Sequence, residues 1–214
     1  VTLHPREAEA NALQHRIPLF AARVLHVDCG PGLLCLFARQ RAGAETVGVF
    51  LGDDAAARRE AEGRAGRIYS NLHDALIAEA PFDCIVIPAE SSTDDFARCA
   101  EALTPEGQVL LECGGSATIH TPSGFVSYAR WPFDFPMSEM EDVYIPAPGE
   151  KHLVVLARAD YDPLVHAQRL AASRQFDRAY EILCAIPPEL REDPAFDARV
   201  QVVKMVCLLG LQKL

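Results

Sequence analysis

Short runs of apolar, β-branched residues alternate along the first two thirds of the chain with segments whose apolar positions fall at helical spacing. The first run, Arg23-Val24-Leu25-His26-Val27, predicts a buried strand. It ends in Asp28-Cys29-Gly30-Pro31-Gly32, after which Leu33, Leu34, Leu36 and Phe37 mark the apolar face of a helix that stops near Gly43. Thr46 to Phe50 predicts a second strand, and Asp53 to Arg64 an exposed helix begun by an acidic cap. Arg67 to Tyr69, Phe82 to Ile87 and Gln108 to Cys113 give three more strands. Leu72 to Glu79 and Thr93 to Leu103 supply the helices between them, and Thr104-Pro105-Glu106-Gly107 a turn. A further helix is expected over the Arg6 to Gln14 region. Strands separated by helices in this way predict an α/β fold, an open and mostly parallel sheet wound on both faces. Ligands of such sheets bind beyond the carboxyl ends of the strands, at the switch point beside the first strand.

The pattern changes after Cys113. Phe125 to Ala129 and Leu153 to Ala157 predict two more strands, the last of them antiparallel, around an aromatic and acidic excursion from Trp131 to Glu150. That excursion is too long and too apolar for an idle linker. From Pro163 the periodicity is purely helical: Leu164 to Arg174, Phe176 to Ile186, a stop at Pro187-Pro188, then Ala195 to Leu211. Ala167, Leu170, Ala171, Phe176, Ala179, Tyr180 and Leu183 fall at spacings that resemble a tetratricopeptide-type helix hairpin. Such a unit needs a neighbour to cover its faces, so a protein partner or self-association through these helices is expected. The expected division is a sheet domain over 1–160 and a helical segment over 161–214.

Composition narrows the function classes. The net charge is −10, and from Tyr161 onward seven acidic residues balance seven basic ones, so the whole excess lies in the sheet domain. An acidic domain repels a phosphate backbone, which argues against nucleic acid as a partner. No run approaches the ~20 apolar residues of a membrane span. Val1-Thr2-Leu3-His4-Pro5 lacks the basic and apolar regions of a signal peptide, and no initiator Met leads it, as in a processed or excised chain. The seven cysteines stand singly, with no C-x-x-C pair, which reads as reduced, buried thiols of a cytoplasmic protein and predicts no metal site.

Taken together, several segments resemble the class I S-adenosylmethionine (SAM) dependent methyltransferases over roughly residues 20–158. Val24 to Gly32 is similar to that family's strand and glycine-rich turn, and Phe82 to Ile87 to its fourth strand. Leu103 to Leu111 is similar to its "L-x-P-G-G-x-L" turn and fifth strand, Ser123-Gly124-Phe125-Val126 to the start of its sixth, and Leu153 to Leu156 to its seventh. The first turn lacks a third glycine in a G-x-G-x-x-G frame, since position 35 is Cys35, which disfavours a dinucleotide.

The resemblance implies SAM as cofactor, held by His26, Asp28, Gly30, Gly32, Phe50, Asp53, Asn71 and Glu90. It also implies departures. Phe50 stands where an acid usually accepts from the ribose hydroxyls, leaving Asp53 or Asp54 to reach back unless they serve as helix caps. Asp28 occupies the first glycine position, where its carboxylate either clashes with the ligand's carboxylate or pairs with its ammonium, a job often done by an acid where His26 now stands. Asn71, in Ser70-Asn71-Leu72-His73-Asp74, is the nearest match to an Asp at the adenine amine, and its carbonyl accepts the same bond. No base for an acceptor stands out: Glu90, Ser91, Ser92, Asp94 and Asp95 crowd one loop, and His120 and Trp131 lie in later ones. Three functions follow as expectations: a methyltransferase acting on a small molecule, sugar or protein; an inactive scaffold of the same shape; or a binder of another nucleotide in the same crevice.

Overall fold

The computed structural model describes Ile17 and residues 21–114, 121–132 and 151–212. The Arg6 to Gln14 region, His120 and residues 133–150 of the excursion lie outside these. Two compact units result, one running from Ala21 to Ala159 and the other from Asp160.

The first unit is a seven-stranded sheet in the order β3-β2-β1-β4-β5-β7-β6. Its elements are β1 (Arg23–Val27), α1 (Leu33–Ala42), β2 (Glu45–Val49), α2 (Ala55–Arg64), β3 (Arg67–Tyr69), α3 (Leu72–Glu79), β4 (Phe82–Pro88), α4 (Thr93–Glu101), β5 (Leu103–Gly114), β6 (Phe125–Pro132) and β7 (Lys151–Arg158). The first five strands pair in parallel, and β7 runs antiparallel to both β5 and β6. Strand order reverses at β1 and β4, which puts the switch point beside the glycine-rich turn.

Alternation along β1 explains the layers. Val24 faces a cluster with Leu34 and Ala38 of α1, while Leu25 and Val27 face Leu76 of α3 and Phe96 of α4. Helix α2 closes a smaller cluster in which Ala61 and Ala65 meet Cys29, Cys35 and Phe50. The turn expected at 104–107 instead lies inside β5: Phe82 pairs with Leu103 and Cys84 with Gln108, so the extra residues bulge out of the ladder.

The second unit contains α5 (Pro163–Ala172), α6 (Phe176–Ala185), a 3₁₀ turn (Pro188–Arg191) and α7 (Pro194–Leu211). Asp162 and Asp193 cap α5 and α7, each followed by a proline whose missing N–H costs nothing there. Leu164, Ala167, Ala179, Leu183, Val200 and Cys207 form its core. A side chain at Gly210 would meet the Phe176 ring at 2.5 Å, so the glycine sets how closely α7 packs on α6. Arg174 ends the first helix in the left-handed conformation (φ 59°), a break without glycine or proline to announce it.

Candidate functional site

The carboxyl ends of β1 to β4 carry the eight residues expected to hold the cofactor. The β1–α1 turn has three left-handed residues, Asp28 (φ 55°), Gly30 (φ 48°) and Gly32 (φ 75°). It is held by the Cys29 N–H donating to the Val49 carbonyl at 2.9 Å and the Gly32 N–H to the Cys29 carbonyl at 2.9 Å. Gly32 serves packing as well as the turn: a Cβ there would stand 2.9 Å from the Ala61 Cα of α2. It also begins α1 without any side-chain cap, which leaves the first-turn N–H groups of that helix facing the crevice end of the strand. Burial, then the Asp28 charge, pushes the Cys29 thiol up to about 12, so it is no nucleophile.

His26, one residue before β1 ends, is 7% exposed. Its Nε2 lies 3.8 Å from Oε1 of Glu112, at the far end of β5. That is beyond hydrogen-bond reach, and burial outweighs the carboxylate: the imidazole pKa falls to about 4 and the ring is neutral. Nδ1 is buried without a hydrogen-bond partner. The nearer carboxylate favours the proton on Nε2, which makes Nδ1 an acceptor. Glu112 is a member of this pair that the sequence did not single out; its only signal was a charge near the end of an apolar strand.

At the end of β2, Phe50 is buried against Cys29, Cys35 and Ala61, and a Cβ on Gly52 would touch its Cζ at 3.4 Å. The ring thus points into the core beneath its own loop. Leu51 and Asp53 are exposed after it. Asp54 is the cap of α2, accepting from the N–H groups of Ala56 and Ala57 at 2.8 and 3.1 Å, whereas Asp53 makes no hydrogen bond or ion pair among the described residues.

Beyond β3, Asn71 caps α3: its Oδ1 accepts from the Asp74 N–H at 2.9 Å while its Nδ2 donates to Asp74 Oδ2 at 2.7 Å. Ser70 accepts from Arg58 at 3.2 Å. Beyond β4, Ser92 caps α4, accepting from the Asp95 N–H and donating to its carboxylate at 2.7 Å. Asp94 pairs with Arg98 at 2.7 Å. Glu90, by contrast, is exposed and has no partner among the described residues. The loop therefore splits into capping residues and one carboxylate left over. Trp131 belongs to β6 by its backbone. Among the described residues no cluster could hold a metal ion, and no helix is long and apolar enough to cross a membrane.

No family model matches the chain, and no curated protein matches it in sequence. Solved structures do match in fold. The glycopeptide N-methyltransferase MtfA in complex with SAM has a TM-score of 0.51 at 17% identity, over 71% of this chain and 93% of that one. TrmN from Thermus thermophilus gives 0.51 at 20% identity, over 70% of this chain and 48% of its own. The yhhF protein of Escherichia coli gives 0.51 at 15% identity, over 73% and 89%. The chain has a Rossmann-like, doubly wound fold of the methyltransferase type, with its seven-stranded mixed sheet and C-terminal helices.

Proposed function

We propose that the crevice beside β1 binds SAM and that the protein is a methyltransferase acting on a small molecule, a sugar or a protein. The observation that carries this is the left-handed glycine turn leading into the uncapped start of α1, at the switch point of a methyltransferase-type sheet. The residues fit the amino-acid end of the cofactor. First-turn N–H groups of α1 suit its carboxylate, and Asp28, exposed in the turn before them, suits its ammonium. At the ribose the fit moves by three residues: Phe50 is turned away, and Asp53, exposed and unpaired, is the acceptor to hand. Asn71 spends its carbonyl on the α3 cap and its amide on the Asp74 carboxylate, so it holds no adenine amine in this arrangement. When bound, SAM supplies an electrophilic methyl group; the chain's own part is to position it and to keep water from it.

A second reading, a scaffold of the same shape that binds no cofactor, is favoured by Phe50, because two ribose hydroxyls without partners would cost about 1–3 kcal/mol each, and by the helical segment, whose faces need a neighbour. Calorimetric titration of SAM and S-adenosylhomocysteine decides between them. Micromolar binding, weakened about tenfold by Asp53→Ala, supports the enzyme reading; about 1.4 kcal/mol corresponds to that factor. No heat up to millimolar ligand leaves the scaffold.

A further inference from the structure

Helix α7 shows two opposite apolar faces. Val200 and Cys207 are buried in the core of the helical unit, with Phe196 and Val203 packed beside them. Half a turn away, Ala198, Val202, Met205 and Leu209 are exposed, the last three at 57%, 60% and 57%. With 3.6 residues per turn these four lie on one line opposite the buried face. Their spacing of four, three and four residues is that of a two-helix seam.

We propose that this seam packs against the same seam of a second copy, with the two α7 helices antiparallel about a twofold axis. The spacing reads the same in both directions, so a reversed copy brings Val202 opposite Met205 and Ala198 opposite Leu209, small against large each time. Self-complementarity of this kind is what an isologous contact requires. The neighbouring positions do not oppose it. Val206 and Leu208 are apolar, Gln201 is neutral, and Arg199 lies over the Phe196 ring of its own helix, 5.6 Å from the centroid. The antiparallel sense also sets opposite helix dipoles side by side. The inference is independent of cofactor binding.

Sedimentation equilibrium of the full chain over about 5–200 μM tests it, a range spanning micromolar affinities. The expected result is a mass rising to twice that of the protomer. Met205→Glu, which sets a carboxylate against Val202 of the other copy, is expected to weaken association at least about tenfold. Because Met205 is exposed, circular dichroism should show the variant melting like the parent. An equimolar mixture of Val202→Lys and Met205→Glu chains is expected to regain the dimer, since only the antiparallel register brings the two substitutions together. A chain that stays monomeric at 200 μM overturns the proposal, whether or not it sediments with anionic vesicles or captures another helix. So does a dimer indifferent to Met205→Glu.

Discussion

The two edges of the sheet differ in how their less exposed polar groups are met. At the amino-terminal edge Asp83 and Glu79 are paired. Asp83 accepts from the N–H groups of Ala22 and Arg23 at 2.9 and 3.0 Å and from the Thr104 hydroxyl at 3.1 Å. Glu79, buried, accepts from Arg67 and from the Tyr69 hydroxyl, and its carbonyl accepts from Arg23. At the carboxyl edge His26 Nδ1 has no partner, α1 has no side-chain cap, Asp28 holds a left-handed backbone, and Asp53 and Glu90 stand unpaired among the described residues. An edge with only stability to serve satisfies its polar groups, whereas a ligand edge leaves valences for the ligand.

The comparison is broken most forcefully at Asp83. Replacing it with alanine removes the acceptor of two backbone donors and a hydroxyl, one exposed and two half-buried, at a cost of about 3 kcal/mol. Urea unfolding of Asp83→Ala against the parent measures it. A loss under about 1 kcal/mol would mean that the paired edge is not where the stability resides. Ligand affinity of the folded variant is expected to be unchanged, because the substitution lies a strand's length from the crevice.

That aspartate shows how much of the molecule was legible from sequence. The Phe82 to Ile87 run announced a strand by its apolar residues, but the job of the charge inside it appears only when three strands come side by side. Likewise β1, β3 and α3 have the bounds their periodicity predicts. Strand β5 begins five residues earlier than expected, because a bulge hides pairing behind turn-forming residues. Strands β6 and β7 extend beyond their apolar runs, because Arg130 pairs by its backbone with Val154, and Lys151 and His152 with Gly114 and Cys113 of β5. In the site, the glycine turn was readable by local chemistry, since left-handed residues constrain composition. The His26–Glu112 pair was not, because it depends on two strands that lie on either side of β4. Nor could sequence distinguish Asp54, the cap, from Asp53, the unpaired carboxylate.

His26 sharpens the comparison through pH. Burial lowers its pKa from the ordinary 6.5 to about 4, so between those values the unfolded chain binds a proton that the folded chain refuses. Stability therefore falls as pH falls through this window, by about 3 kcal/mol once it is crossed. His26→Leu fills a similar volume and has nothing to titrate. The difference in stability between parent and variant should grow in the variant's favour from pH 7 to pH 4, measured by urea midpoints in matched buffers. A constant difference would mean that the imidazole is hydrated or already charged in the native state, and His26 would no longer count as an unfilled valence.

The smallest effect tests whether the backbone at this edge is kept for function. Asp28 sits at φ 55°, a conformation that costs an L-residue about 1–2 kcal/mol, less for aspartate than for most. Glycine relieves that strain but returns part of the gain as unfolded-state freedom, so Asp28→Gly is expected to stabilise the fold by about 0.5–1 kcal/mol. Asp28→Asn removes the charge while keeping a side chain that tolerates the same backbone, and separates the two contributions. If both variants bind S-adenosylhomocysteine about tenfold more weakly while the glycine variant unfolds at higher urea, the carboxylate holds the ligand at the expense of stability. If binding is unchanged or tighter, the aspartate is merely tolerated in a position glycine fills better, and the proposed ligand contact at this position is lost.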